Sequence, residues 1–350
     1  MTFAERGKNG EPGGPELRRD FLSGRWVLIA PDRARRPNDF QSVRAPASDE
    51  SRASCPFCEG REAETPSEVG ALRDASPVPD SPGWRVRVVP NKYPALIPEA
   101  GSTSVTRPGD LFESRPGIGH HEVVVDTPDH DREWADLPVE HIRDVLEIFR
   151  RRLQVLERDP AVRYVQVFKN KGGFAGASLR HPHTQILAVP AVPQQVRDEL
   201  SVLEHQARET GGCLICRVIE NESAGPRLVR SDPDFVALAP FASRFPYEIH
   251  VLPRRHTASF RETTDPELAG LARIMKFVLG RLRDIASDPD YHLVLRQAPS
   301  PRPARPRTNA FVHWRIEILP VMGLVAGFEW GTGCFINPVV PESAAAALRG

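Results

Sequence analysis

The segment His181-Pro182-His183-Thr184-Gln185 sets two imidazoles and an amide at alternate positions ahead of an apolar run, Ile186 to Val189. In an extended chain, residues of one parity share a face, so His181, His183 and Gln185 are expected on one side of a sheet. Four cysteines fall into two pairs, Cys55/Cys58 and Cys213/Cys216, with two residues between partners. Histidines follow each pair, His130 and His181 after the first, His256 and His313 after the second. Thiolates and neutral imidazoles in that number suit tetrahedral zinc, and four protein ligands leave no open position for an activating water. Two structural zinc sites are therefore expected, Cys55, Cys58, His130 and His181 in one and Cys213, Cys216, His256 and His313 in the other. The fifth cysteine, Cys334, reads as a small buried apolar residue.

With His181 given to the metal, His183 is left for chemistry. A neutral imidazole can attack phosphorus and form a covalent intermediate that a second acceptor resolves. Gln185 can donate to a phosphoryl oxygen. The stretch Asn170 to Ser178, "NKGGFAGAS", offers a glycine-rich turn whose backbone amides can approach phosphates. Such donors stabilise charge that develops on a transferred group.

These residues need strands and helices to hold them. Alternating or β-branched runs predict strands over 25–31, 84–90, 121–127, 164–170 and 184–190, then over 234–240, 247–253, 291–297 and 312–320. Helical periodicity covers 139–157, 194–208 and 266–285. Proline concentrates in loops over 76–82, 189–193 and 299–306. The order Cys-x-x-Cys, strand, strand, histidine, helix, strand, histidine-bearing strand occurs twice, which reads as a duplicated α+β unit. The expected organisation is a loose arm over 1–20, a first, catalytic unit over 21–192 and a second, zinc-stabilised unit over 193–350. In the second unit Arg315 stands two residues after His313, where the first has His183. A guanidinium stays protonated, so only the first unit is expected to act as a nucleophile.

Composition excludes several classes. A hydrophobic share of 40% with 26% charged residues is that of a globular protein, and no apolar run of membrane-spanning length exists. Forty-six basic and 46 acidic residues give zero net charge, no footprint for nucleic acid. The first twenty residues lack the apolar core of a secretory signal, so a cytoplasmic location is expected.

The segment "NKGGFAGASLRHPHTQILA" resembles the active-site segment of the galactose-1-phosphate uridylyltransferase branch of the histidine-triad superfamily, whose signature is His-Pro-His-x-Gln. The likeness extends over roughly residues 20 to 345 and includes "PDRARRP", "CPFC", "NKYPAL", "TPDH" and "GFEWGTGCFINP". It implies two tandem histidine-triad units in a pseudo-symmetric pair, with antiparallel sheets and flanking helices. It also implies ping-pong transfer of a nucleoside monophosphate from a nucleotide sugar to a sugar phosphate through the histidine matching His183, and a homodimer. On matched positions Asn170, Ser178 and Gln185 contact phosphates, and Arg33, Arg36 and Asn91 contact the nucleotide sugar. The segment with Gly327, Glu329, Gly331 and Thr332 resembles the hexose-side segment. The second Cys-x-x-Cys pair resembles a divergent branch that contains ADP-glucose phosphorylase, since the best-known bacterial members hold their second metal with a glutamate and histidines. Leu179-Arg180 also replaces an Asn-Pro pair of those members.

The resemblance thus implies, as the leading expectation, uridylyl transfer between UDP-glucose and galactose 1-phosphate through His183. Two alternatives stand beside it: adenylyl transfer from ADP-glucose to phosphate by the same chemistry, and a nucleotide-binding zinc protein without turnover.

Overall fold

The computed structural model describes residues 14–35, 52–74, 78–98, 111–300 and 308–350. Its strands are β1 (Glu16–Arg19), β2 (Trp26–Ile29), β3 (Gly70–Arg73), β4 (Trp84–Pro90), β5 (His120–Val125), β6 (Tyr164–Lys171), β7 (His183–Val189), β8 (Leu228–Ser231), β9 (Phe235–Leu238), β10 (Ile249–Pro253), β11 (Asp290–Arg296), β12 (Arg315–Val321) and β13 (Phe335–Asn337). The helices are α1 (Val139–Leu156), α2 (Gln194–Thr210), α3 (Leu214–Glu222), α4 (Asp265–Ile285), α5 (Gly327–Thr332) and α6 (Pro341–Arg349).

Ten strands form one sheet in the order β3-β4-β5-β7-β6-β11-β12-β10-β9-β8. Read outward-in from either edge, each half places its first, second, third, fifth and fourth strands in turn, so the two halves repeat one topology and meet where β6 pairs antiparallel with β11. The fold is α+β and pseudo-symmetric, with antiparallel pairing throughout this sheet.

The alternation in β6 explains its two faces: Val165, Val167, Lys169 and Lys171 are buried, whereas Gln166, Phe168 and Asn170 are half-buried on the other side. Helices α1 and α4 cover the first face. Their apolar positions, Ile142, Val145, Leu146, Phe149 and Leu153 in α1 and Leu268, Leu271, Met275, Val278 and Leu282 in α4, join strand residues of both halves in a single core. Helix α4 starts on a capping box in which the Thr264 amide donates to Glu267 Oε2 at 2.7 Å and the Glu267 amide to Thr264 Oγ1 at 3.4 Å. With α1 and α4 packed on one face, the opposite sheet face is left for β7, β6 and β11 to present side chains.

The arm expected over 1–20 overlaps a strand at its end. Residues Glu16–Arg19 form β1, which pairs with β2, and β2 pairs in parallel with β13 near the other end of the chain. The buried guanidinium of Arg18 donates to both carboxylate oxygens of Glu342 at 2.9 and 3.0 Å and to the Phe241 carbonyl at 3.1 Å. Val27 and Ile29 pack with Ala242. Strands β1 and β2 therefore lie against the second half, across the expected boundaries. Short strands rich in charge, such as Glu-Leu-Arg-Arg, lack the periodic signal on which those boundaries rested.

Candidate active site and metal centres

Two Cys2His2 clusters lie where the sequence repeats. In the first, Cys58 Sγ is 3.4 Å from His130 Nδ1 and 3.7 Å from His181 Nδ1, and Cys55 Sγ is 3.7 Å from His181 Nδ1. In the second, Cys216 Sγ is 3.4 Å from His256 Nδ1 and 3.5 Å from His313 Nδ1, and Cys213 Sγ is 3.8 Å from His313 Nδ1. With zinc–sulfur bonds of about 2.3 Å and zinc–nitrogen bonds of about 2.0–2.1 Å, the edges of a ligand tetrahedron are roughly 3.3–3.8 Å long. The clusters fit that figure, and each can hold a metal ion.

The surroundings fix the donor atoms. His181, His256 and His313 each donate from Nε2 to a backbone carbonyl, of Thr127, Asn309 and Pro253, at 2.7, 2.7 and 2.8 Å. That leaves the Nδ1 lone pairs facing the thiols. Burial brings His181 down to about 4, so its ring is neutral. Burial and the adjacent Cys55 push the Cys58 thiol up to about 11, and burial and Cys213 push Cys216 up to about 12. Thiols this close cannot both ionise without a cation between them, which is the property of a metal site.

His181 does not lie on the ladder. Strand β7 begins at His183, and His181 precedes it in a bend, fully buried. His183 donates from Nδ1 to the His181 carbonyl at 2.8 Å and sits with its ring centroid 5.5 Å from that of Phe57. Burial holds it below the ordinary imidazole range, so Nε2 carries a lone pair. Behind the strand, buried Lys169 reaches Asp126 and Glu133, both at 3.1 Å, while Asp126 also accepts from Trp134 at 2.8 Å and Thr184 at 3.2 Å. This network pins β7 and the segment after β5 to β6.

Gln185 shares the face of His183 and accepts from His121 Nε2 at 2.9 Å. Phe168 pairs with Gln185, and continuing that register by two residues sets Asn170 opposite His183. Asn91, at the end of β4, has its amide nitrogen 3.1 Å from His121 and its Oδ1 accepting from the Tyr93 amide at 2.9 Å. Asn91, Gln185, His183 and Asn170 are thus brought to one face.

The glycine-rich turn is clamped by the second half. Gly172 has a φ of +87°, and a Cβ there would stand 2.1 Å from the Asp290 carboxylate. That carboxylate accepts from the Phe174 amide at 2.9 Å, and Lys171 donates to Asp288 Oδ1 at 2.5 Å and to the Pro289 carbonyl at 3.1 Å. Ser178 is exposed and lines a cavity of about 570 Å³ with Gly173, Arg180 and Asp290; it has no hydrogen bond to His183 or Gln185 among the described residues.

At the matching place in the second half, Arg315 binds Glu199 at 2.7 and 3.1 Å and Glu317 at 2.9 and 2.7 Å. The guanidinium is saturated by internal carboxylates and offers no nucleophile. Arg33 is exposed in a short 3-10 turn beyond β2, and Arg36 lies outside the described residues. Gly327, Glu329, Gly331 and Thr332 form the exposed α5, where Glu329 accepts from the Ala326 amide at 3.1 Å; no hydrogen bond joins them to β7. Two residues of the site were not singled out from sequence, His121 and His292. Their partners lie far along the chain, and only the parity of His121 with Val123 and Val125 in a strand marks its face.

Comparison with known proteins agrees with this geometry. Residues 11–193 match the family profile of the galactose-1-phosphate uridyl transferase N-terminal domain, and residues 137–348 a domain of unknown function, DUF4921. An ADP-glucose phosphorylase of Arabidopsis thaliana is 35% identical over 98% of this chain and 95% of its own. A galactose-1-phosphate uridylyltransferase of Thermotoga maritima is 30% identical over 95% of this chain and 98% of its own. Among solved structures, an Arabidopsis thaliana ADP-glucose phosphorylase with bound ADP-glucose superposes with a TM-score of 0.83 at 34% identity, covering 96% of this chain and 99% of that one. A uridylyltransferase structure gives 0.73 at 32% identity, covering 95% and 97%. With the duplicated sheet, the paired Cys/His clusters and the His-Pro-His-x-Gln strand carried along the whole length, this chain belongs to the galactose-1-phosphate uridylyltransferase family.

Proposed function

We propose that this protein is a nucleotidyltransferase that works through a covalent intermediate on His183, with UDP-glucose as donor and galactose 1-phosphate as acceptor. The observation that carries the reading is the His183 ring itself. Its Nδ1–H is engaged by the His181 carbonyl, so Nε2 is the free lone pair, on a face shared with the amides of Gln185 and Asn170.

Nε2 attacks the α-phosphorus of the nucleotide sugar, the bond from that phosphorus to the bridging oxygen breaks, and hexose 1-phosphate leaves with the electron pair. The phosphate oxygen of the second substrate then attacks the same phosphorus and the phosphorus–nitrogen bond breaks. Gln185, Asn170 and the glycine-rich turn donate to the non-bridging oxygens as charge builds on them. Zinc in the Cys/His clusters serves structure. Cys55, Cys58, His130 and His181 fix the bend from which His183 projects, and Cys213, Cys216, His256 and His313 hold the second half.

Among the described residues no hydrogen bond joins Glu329 or Gly327 to His183, and Leu324 and Trp330 around them are 81% and 79% exposed. This supports a homodimer in which the segment serves the hexose side of the partner's cleft. A second reading has a specific observation behind it: the phosphorylase of Arabidopsis thaliana is the more similar of the two relatives compared above. In that reading ADP-glucose loads His183 with adenylyl and phosphate removes it.

Intact-protein mass spectrometry after brief incubation with each nucleotide sugar separates the readings. A uridylyl adduct discharged by galactose 1-phosphate supports the first, and an adenylyl adduct discharged by phosphate the second. No adduct with either donor would exclude both and leave a nucleotide-binding protein.

A further inference from the structure

An amide side chain presents a donor on one side and an acceptor on the other, and the two are nearly interchangeable in shape. Beside a phosphoryl group only the donor side attracts. The structure gives each amide next to His183 a partner that distinguishes the two sides.

His121, on β5, donates from Nε2 to Gln185 Oε1 at 2.9 Å. Its tautomer follows from its other nitrogen, since Nδ1 accepts the Ala95 amide at 3.1 Å and so carries no proton. Two atoms flank the Nε2 proton, Gln185 Oε1 at 2.9 Å and the Asn91 amide nitrogen at 3.1 Å, and only the oxygen can accept it. His292, on β11, stands directly opposite Asn170 in the antiparallel register, and its Nδ1 is 2.9 Å from Asn170 Oδ1. The strand order β5-β7-β6-β11 puts one histidine on each side of the two strands that carry His183, Gln185 and Asn170. His292 comes from the half of the chain that has no nucleophile of its own.

We infer that His121 and His292 are positioning residues that lock the amides of Gln185 and Asn170 with their oxygens turned away, so that both NH2 groups face the phosphoryl group. The inference rests on the nucleotidyl-transfer reading. Neither imidazole is hydrogen-bonded to His183, and neither takes or gives a proton in the reaction; each acts through its amide.

A double-mutant cycle separates such a role from a merely structural one. Single-turnover adduct formation is measured in wild type, His292→Leu, Asn170→Ala and the double variant, with His292→Asn as the variant that keeps a donor near the Nδ1 position. Losing the lock is expected to slow adduct formation about tenfold or more in the presence of Asn170. The same change is expected to cost less than about twofold once Asn170 is gone, because the two residues act as one unit. His292→Asn is expected to recover most of the rate. The cycle with His121→Leu and Gln185→Ala is expected to behave alike. Equal losses with and without the amide overturn the inference. ADP affinity, measured by calorimetry in the same proteins, needs no turnover. If the wild type forms no adduct, coupling between His292 and Asn170 in ADP binding sustains the lock, and additive effects there overturn it.

Discussion

The Nδ1–H of His183 donates to the carbonyl oxygen of His181 at 2.8 Å, while His181 turns its own Nδ1 to two thiols at 3.7 Å. One proline separates the proposed metal ligand from the proposed nucleophile. That bond ties the orientation of the His183 ring to the cluster behind it.

The two histidines should therefore fail differently. His183→Ala is expected to keep two metal equivalents per chain and lose transfer by on the order of 10⁴. His181→Ala is expected to lose one equivalent together with transfer. Metal analysis alongside exchange assays checks this, and loss of metal from His183→Ala would mean that the assignments are reversed.

In the second half, Cys216→Ser is expected to release one metal equivalent and to lower stability by several kcal/mol, because binding energy at such sites is folding energy. The first cluster stays loaded, and His183 in the protein that remains folded still accepts a nucleotidyl group. Chelation followed by thermal melting gives an independent reading. A melting temperature insensitive to chelator is incompatible with structural metal.

Glu157, just past the end of α1, is buried, and that burial raises its carboxyl to about 7 although Arg261 lies 3.0 Å away. The unfolded chain titrates near 4.5, so the folded state binds the extra proton between the two values. Stability from this group is full below about 4.5 and falls as pH rises to about 7, by roughly 3 kcal/mol in all. Glu157→Gln is expected to match wild type near pH 5 and to exceed it by about 1–3 kcal/mol at pH 8. Denaturant midpoints at the two pH values test this; an unchanged pH slope in the variant contradicts it.

Gly172→Ala meets two obstacles, a φ of +87° and the Asp290 carboxylate 2.1 Å from the new methyl. The substitution is expected to cost more than about 1 kcal/mol and to slow transfer by displacing the turn. Asp290→Gly in the same chain frees the space and should recover part of the stability but not the Phe174 contact. Melting curves and adduct rates in the single and double variants distinguish the two contributions.

Much of this was legible in sequence where physics leaves a period. Helix α1 was expected over 139–157 and runs Val139–Leu156, because its apolar residues recur on one face. Strand β4 was expected over 84–90 and runs Trp84–Pro90, by alternation and a closing proline. The Cys-x-x-Cys spacing marked both clusters because ligand chemistry is local at one end. Strand β1 and helix α3 were not seen, the first being short and charged, the second starting inside a Cys-x-x-Cys pair. His121 and His292 were missed for another reason: a hydrogen bond between strands depends on register, which no window of sequence contains. Glu329 lies in α5, and its place relative to His183 is not a property that local sequence pattern carries.

The pairing of β2 with β13 has a consequence for how the molecule is made. Val27 and Ile29 find their parallel partners only in Phe335 and Asn337, nearly the whole chain away. During synthesis β2 emerges early and its parallel edge stays open until β13 has been made. Loop-closure entropy at such a separation is met only after the central sheet has drawn the ends together. The β1–β2 hairpin is thus a latch that shuts late, and deleting β13 should release that hairpin before the central sheet.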